Sequence, residues 1–409
     1  MTITEQPPPA APAGTSGVRQ DIIADVDAIL PLLAANAERA ERDRTIPDAS
    51  YAALMDAQAL KLFVPRRVGG PEANYRTYIE VGTRVSGACG ASGWLTFILN
   101  HTDWHLGQMG AAAQEAVWGG DTEGKILGPL TPAPGFECRR VEGGTVVCGE
   151  WPYSSGSDRA KWAIIGYPMF DGDGPPSMEC GLISLTDVTV RDTWQVAGMA
   201  GTCSNTIVVP ETFIPDTYQI PLADMVERRF RTPYTDEALY RMDAALVFHI
   251  ATLPSVLGLA RAAFEATLER LTRSRRAQSY TLYLDTTKSP ATQSSMARAS
   301  WLVDTAFRQA CDIADEIDDR AARDEPFTPV ERAAHVMRVA QAHRGCREAM
   351  DLILDAGGAG SFALANPVQR MWRDMAVASR HGLSVPGIKE ELYGRALLGA
   401  DEQQMTPLR

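Results

Sequence analysis

The chain has 409 residues, enough for one large core or several joined ones. Apolar residues make up 45% and charged residues 22%, and no run approaches the ~18 or more uncharged apolar residues that a membrane span takes. With 51 acids against 39 bases the net charge is -12 and the basic clusters are short, so neither a membrane nor a nucleic acid is the expected partner.

In chain order, the opening "MTITEQPPPAAPAGTSG", residues 1–17, has no basic or apolar segment of the kind a signal peptide needs. It is expected to be a disordered leader, which makes the cytoplasm the expected location. The seven cysteines are scattered, odd in number and never spaced as CxxC, which argues against a disulfide framework and against structural zinc.

From 18 to 135 the pattern is helical. "IIADVDAILPLLAANAERAERD" repeats apolar residues at three- and four-residue intervals. "SYAALMDAQALKLFVPRRVGG" reads as a serine-capped amphipathic helix stopped by Gly69 and Gly70. "RTYIEVGTRVSGACGASGWLTFILNHTDWHLGQM" is rich in small residues, where another backbone or a flat ligand can come close. Between 136 and 235 the period changes. "GTVVCGEWPYSSG", "KWAIIGYPMF", "ECGLISLT", "VTVRDTWQVAGM" and "SNTIVVPETFIP" are short, β-branched and aromatic, with turn signals such as "DGDGPP" between them. From 236 to 400 four amphipathic stretches, opening with "RMDAALVFHIATLPSVLGLARAAFEATLERLTRSRR" and closing with "NPVQRMWRDMAVASRH", suggest an antiparallel bundle; residues 401–409 are a tail. The expected fold class is therefore mainly α with a central β domain.

Several stretches hold candidate chemistry. "GGAGSFA" at 357–363 matches GxGxxA but follows a helix and not a strand, so it lacks the setting of a dinucleotide site. "HTDWH" puts His101 and His105 on one helix face, as a metal pair, as a packed or hydrogen-bonded pair, or with one of them catalytic. "WPYSSG" ends a strand either in an ordinary serine turn or with the hydroxyls of Ser154 and Ser155 facing a polar ring edge while Trp151 covers a flat face. In the last stretch Arg370, Arg373 and Asp374 suit pairing with neighbouring helices, and His381 suits a helix C-terminus, where a cation meets the negative end of the dipole.

Taken together, "SGW" (92–94), "GEWPYSSGSDRAKWAIIG" (149–166), "DTWQVAGMAGTCSNTIVVPETFIP" (192–215) and "NPVQRMWRDMAVASRH" (366–381) resemble the acyl-CoA dehydrogenase fold. The likeness is closer to its two-component flavin-dependent monooxygenase branch, whose oxygenase components act on para-hydroxyphenylacetate, on dibenzothiophene and on a phenolic secosteroid. The resemblance implies an N-terminal helical domain, a middle β-barrel-like domain and a C-terminal four-helix bundle. Dehydrogenases carry a glutamate where this chain has Ala378-Ser379-Arg380-His381-Gly382, so carboxylate-driven dehydrogenation of an acyl thioester with FAD, the alternative reading, is disfavoured. N- or S-oxygenation on the same fold is a further alternative.

The branch implies reduced FMN, with FAD as the other choice, delivered by a separate NAD(P)H:flavin reductase. Dioxygen then forms a C(4a)-hydroperoxyflavin that hydroxylates an aromatic, phenolic or polyketide-like substrate. By the same resemblance Ser155 lies where family members hydrogen-bond flavin N(5). His381 is the acid or base that accepts a phenol proton. His101 is a second catalytic candidate, and Trp94 and His105 are substrate contacts. Trp151, Ser154, Trp194, Thr202, Ser204 and Thr131 are cofactor contacts, and Arg276, chosen among Arg273, Arg275 and Arg276, is the phosphate donor. A homotetramer is implied, because a neighbouring subunit usually completes the flavin site in this fold.

Overall fold

The computed structural model describes residues 17–119, 125–170, 176–400, 406 and 408. The leader and the tail lie outside the described residues apart from Gly17, Thr406 and Leu408, and so does the turn at 171–176 apart from Pro176. The chain opens with α1 (Gln20–Asp43), α2 (Asp48–Asp56), α3 (Tyr75–Ala88), α4 (Gly90–Gln108) and α5 (Ala111–Trp118). α1 stops where Arg44 turns left-handed at φ 56 and closes its N–H on the Glu41 carbonyl. Ser50 does not cap α2; it is buried inside a helix that starts after the extended Pro47.

The small-residue stretch is two helices and not one. Asn74 caps α3 by accepting from the Thr77 N–H, and Cys89, extended at φ -151, separates α3 from α4. What comes close to its glycines is a helix. A Cβ on Gly258 would lie 2.2 Å from the Thr83 carbonyl oxygen, so the missing side chain lets the two backbones touch. Around this crossing Val81, Val85 and Leu257 are fully buried, each stabilising the contact by about 1.5–3 kcal/mol. α4 is buried at every residue but Ile98, so whatever it presents to a cavity is held rigidly.

The strands are β1 (Lys125–Leu127), β2 (Glu137–Val141), β3 (Gly144–Ser154), β4 (Ala160–Met169), β5 (Ser177–Ser184), β6 (Thr189–Arg191), β7 (Asn205–Pro215) and β8 (Gln219–Pro221). They form two four-stranded sheets, β1-β4-β5-β8 and β2-β3-β7-β6, antiparallel throughout except for β1 beside β4. Strand pairing begins at Lys125, ahead of the boundary expected at 136, because three residues are too few to show alternation. Val147, Trp151, Ile207 and Val209 of one sheet pack on Leu127, Ile165, Tyr167 and Ile183 of the other.

The remaining helices are α6 (Leu222–Val226), α7 (Ala244–Ile250), α8 (Leu253–Ser274), α9 (Pro290–Arg323), α10 (Pro329–Gly357), α11 (Pro367–Ala378) and α12 (Pro386–Leu398). α10 starts at a capping box, in which the Thr328 hydroxyl takes the Glu331 N–H and the Glu331 carboxylate takes the Thr328 N–H, and it packs against α8, α9 and α12. α12 is an addition to the four expected stretches. The span Ala244–Ser274 is apolar enough by composition to cross a membrane, which the residue count alone did not reveal, but 94% of its most apolar window is buried inside the fold.

Candidate active site

One cavity of about 1040 Å³ lies where α4, the β3 end, the 194–204 loop and the α10–α11 region meet. That is near the top of the range of roughly 300–1,000 Å³ that ligand pockets occupy. Its walls are mostly apolar and aromatic, and polar atoms converge on it from each of these elements.

At the end of β3 the alternation breaks. Tyr153 is left-handed at φ 60, and the pairing with β7 shifts between Trp151 and Ser154. Trp151 therefore stays in the core between the sheets, fully buried, with its indole N–H on the Gly166 carbonyl at 2.8 Å. Ser154 is buried too and donates to the Trp151 carbonyl at 3.0 Å. Neither lines the cavity, so the structure does not bring Trp151 or Ser154 to the place expected of them. Tyr153 and Ser155 face it instead, with Trp194 edge-on to Tyr153 at 6.0 Å.

Ser155 is the centre of a hydrogen-bonded row. The Trp94 indole N–H reaches its Oγ at 3.1 Å, Ser204 Oγ lies 2.7 Å away, and Thr202 Oγ1 is 2.6 Å from Ser204. The row ends on the Met199 carbonyl, 2.8 Å from Thr202 Oγ1. Met199 is itself left-handed, and its N–H is held by Asp374 Oδ1 of α11 at 2.6 Å. Burial pushes the Asp374 carboxyl up to about 6, against the pull of that N–H.

On the other side, Trp94 lies edge-on to His381, with ring centroids 5.4 Å apart. His381 follows α11, but as the N-cap of the turn Gly382–Ser384: its Nδ1 accepts the Leu383 N–H at 3.2 Å. Burial, aided by Lys389, pushes it down to about 4, so it is neutral at pH 7. With the Nδ1 lone pair engaged, the ring hydrogen sits on Nε2. In this tautomer His381 presents a hydrogen-bond donor, and its expected part in taking a phenol proton stands as a proposal.

His101 and His105 both line the cavity, and burial pushes each down to about 4. His101 Nδ1 faces the Phe97 carbonyl at 2.9 Å and so carries the hydrogen; Nε2 faces the Tyr75 hydroxyl at 2.9 Å. Both its nitrogens are engaged, whereas His105 Nε2 is buried with no partner among the described residues, so His105 is the one with a nitrogen to offer. Among the described residues no metal-holding cluster of three such ligands forms.

Thr131 lines the cavity. Arg276 does not: it is exposed in the segment between α8 and α9, away from this chain's own cavity. Arg373 turns from the site to Glu41 of α1. Sequence reasoning missed Arg347 and Arg380, which line the cavity with no carboxylate partner among the described residues, Arg347 resting on the Ser379 carbonyl.

Residues 250–385 match the family described as acyl-CoA dehydrogenase, C-terminal domain, which takes in α8 to α11 and His381. The flavin-dependent monooxygenase, oxygenase subunit HsaA, of Rhodococcus jostii (strain RHA1) is 30% identical over 91% of this chain and 97% of its own length. The chain belongs to the flavin-dependent monooxygenase oxygenase subunits. The oxygenase component of p-hydroxyphenylacetate 3-hydroxylase from Acinetobacter baumannii is similar at 27% identity over 94% of this chain and 90% of that one. XiaF from Streptomyces sp., solved in complex with FADH2 and glycerol, superposes with a TM-score of 0.84 at 29% identity, covering 94% of this chain and 96% of XiaF.

A flavin fits the donor set of this oxygenase subunit. His105 Nε2, Ser379 Oγ and Arg347 Nε, on residues that line the cavity, are buried polar atoms without partners among the described residues. Such atoms are costly unless a ligand satisfies them.

Proposed function

We propose that this chain is the oxygenase component of a two-component hydroxylase that takes reduced FMN from a separate NAD(P)H:flavin reductase and places one atom of dioxygen on a phenolic or polyketide-like ring. FAD is the alternative cofactor. The observation that carries the reading is the double contact of Trp94. Its N–H bonds Ser155 and its ring edge meets His381, so one rigid residue couples the serine and the histidine of a single cavity.

When bound, reduced flavin supplies the electrons that activate dioxygen. The chain's own residues hold and orient. Ser155 offers a lone pair to an N–H donor, with Thr202, Ser204 and Trp94 fixing its direction. Trp194 and Thr131 border the same cavity, suiting them to the ring and its side chain. His381, with its hydrogen on Nε2, and His105, with Nε2 unpaired among the described residues, both line the cavity and suit an oxygen-bearing substrate. The apolar walls keep water out, which strengthens these contacts. Asp351 is the single carboxylate among the described lining residues, so it is the one lining carboxylate from which the dehydrogenase alternative could draw a base.

The assembly belongs to the same proposal. Tyr280, Leu282 and Leu284 are exposed between α8 and α9, next to Arg276. An apolar loop of this kind is expected to be covered, and a homotetramer covers it while carrying Arg276 to a neighbour's flavin phosphate. The seven cysteines are unpaired, in keeping with a cytoplasmic location.

The test is to supply the purified chain with a flavin reductase, NADH, FMN and a panel of phenols, indole, a thiophene and an amine. A hydroxylated phenol is the expected product; oxidation of the thiophene or amine alone would refute the substrate class.

A further inference from the structure

We propose that Thr202 and Ser204 fix the direction of the Ser155 hydrogen bond and thereby make the flavin site select reduced over oxidised cofactor; the inference rests on the function proposed above. The Met199 carbonyl only accepts, so its 2.8 Å contact with Thr202 Oγ1 takes the one hydroxyl hydrogen of Thr202. Thr202 Oγ1 must then accept from Ser204, 2.6 Å away, and Ser204 Oγ must accept from Ser155 at 2.7 Å. Ser155 spends its only hydrogen there, and one of its two lone pairs takes the Trp94 N–H.

What Ser155 has left for the cavity is one lone pair. Ser155, Ser204 and Thr202 are 5%, 4% and 1% exposed, so solvent offers the row no substitute partners. The far end is pinned as well. Met199 is held through its N–H by Asp374, which aims its carbonyl at Thr202. Reversing the row so that Ser155 donates would leave two oxygens, Met199 O and Thr202 Oγ1, 2.8 Å apart with no hydrogen between them.

Reduced isoalloxazine carries a hydrogen on N(5), and oxidised isoalloxazine has a bare lone pair there. A lone pair on Ser155 satisfies the first and opposes the second. Ser204 and Thr202 are in this account positioning residues that act through Ser155, not cofactor contacts of their own. Their distance from the flavin is irrelevant to the effect; only the polarity of the row matters.

The experiment measures dissociation constants of the full-length protein for oxidised FMN and for dithionite-reduced FMN, under anaerobic conditions. The wild-type chain is expected to prefer reduced FMN. Ser204→Ala frees the Ser155 hydrogen and should lower that preference about tenfold or more, chiefly by tighter binding of oxidised FMN. Thr202→Val should act in the same direction, and Thr202→Ser, which keeps the hydroxyl, should restore the preference. Ser155→Ala should abolish it by weakening the reduced form. An unchanged preference in both Ser204→Ala and Thr202→Val overturns the inference alone, whereas a wild-type chain without the preference overturns the proposed function and this inference with it. A measurement that needs no variant is ¹⁵N resonance of reduced FMN labelled at N(5) and bound to the wild-type chain. A downfield shift from free reduced FMN is expected, and an unshifted signal refutes the lone-pair contact.

Discussion

Replacing His381 with alanine removes a ring that does two jobs. Its Nδ1 caps the turn Gly382–Ser384 through the Leu383 N–H, and a lost N-cap contact costs about 1 kcal/mol of stability. Its Nε2–H is the donor it presents to the cavity, and losing one donor aimed at developing negative charge lowers turnover by about 10²- to 10³-fold. Glutamine lacks the cap but can carry an amide N–H to the Nε2 position. His381→Gln is therefore expected to retain turnover within about tenfold of the wild type while His381→Ala does not. The assay is product formed per reduced FMN consumed, with peroxide measured alongside. The pH profile separates a donor from a base. The folded pKa, about 4, is depressed below the unfolded value of about 6.5. The stability linked to His381 is thus full above roughly pH 6.5 and is lost as pH falls toward 4, and the ring stays neutral from about pH 5.5 to 8. A limb near pH 6.5 in the rate profile that vanishes in His381→Gln, or a glutamine variant as impaired as alanine, would refute the donor assignment.

Two further predictions concern the scaffold. Gly258→Leu pushes a side chain into the Thr83 carbonyl and cannot be relieved without parting α3 from α8; a loss of about 3 kcal/mol or more is expected, read as a fall in denaturant midpoint, and a wild-type midpoint would contradict the packing. Lys389, 1% exposed, has no carboxylate partner among the described residues and bonds only the His249 carbonyl and ring, and burial pushes it down to about 7. Its folded pKa lies below the unfolded one near 10.4, so the burden it places on stability is complete below about pH 7 and is relieved as pH rises past 10. Lys389→Met should raise stability by about 1–3 kcal/mol at pH 7, less the lost carbonyl contact, with the gain shrinking at pH 10; a melting temperature lowered at pH 7 would show instead that the lysine is needed.

The order of helices, strands and helices was readable because long stretches keep one period. Ser155 and His381 were readable as a pair only through the joint order of the quoted runs, since neither residue is distinctive alone. Trp151 was misplaced because a single left-handed residue, Tyr153, breaks the strand's alternation, and nothing in "WPYSSG" announces which residue will do so. α12 escaped notice because "PGIKEELYGRALL" mixes charged and apolar residues without a clean stripe, and its one buried member is a lysine. The donor state of His381 depends on a backbone N–H two residues further on, a contact that exists only once the turn Gly382–Ser384 has formed. Arg347 and Arg380 have the composition of ordinary helix surface, and only the fold turns them toward a cavity.

An oxygenase cavity of this kind must transfer oxygen from dioxygen to a ring. The direct measurement is mass spectrometry of the product formed from a phenol, chemically reduced FMN and ¹⁸O₂ with no reductase present. One heavy atom of ¹⁸O in the new hydroxyl is the expected result. Oxygen drawn from water, or consumption of reduced FMN to peroxide with every phenol left unchanged, would contradict it.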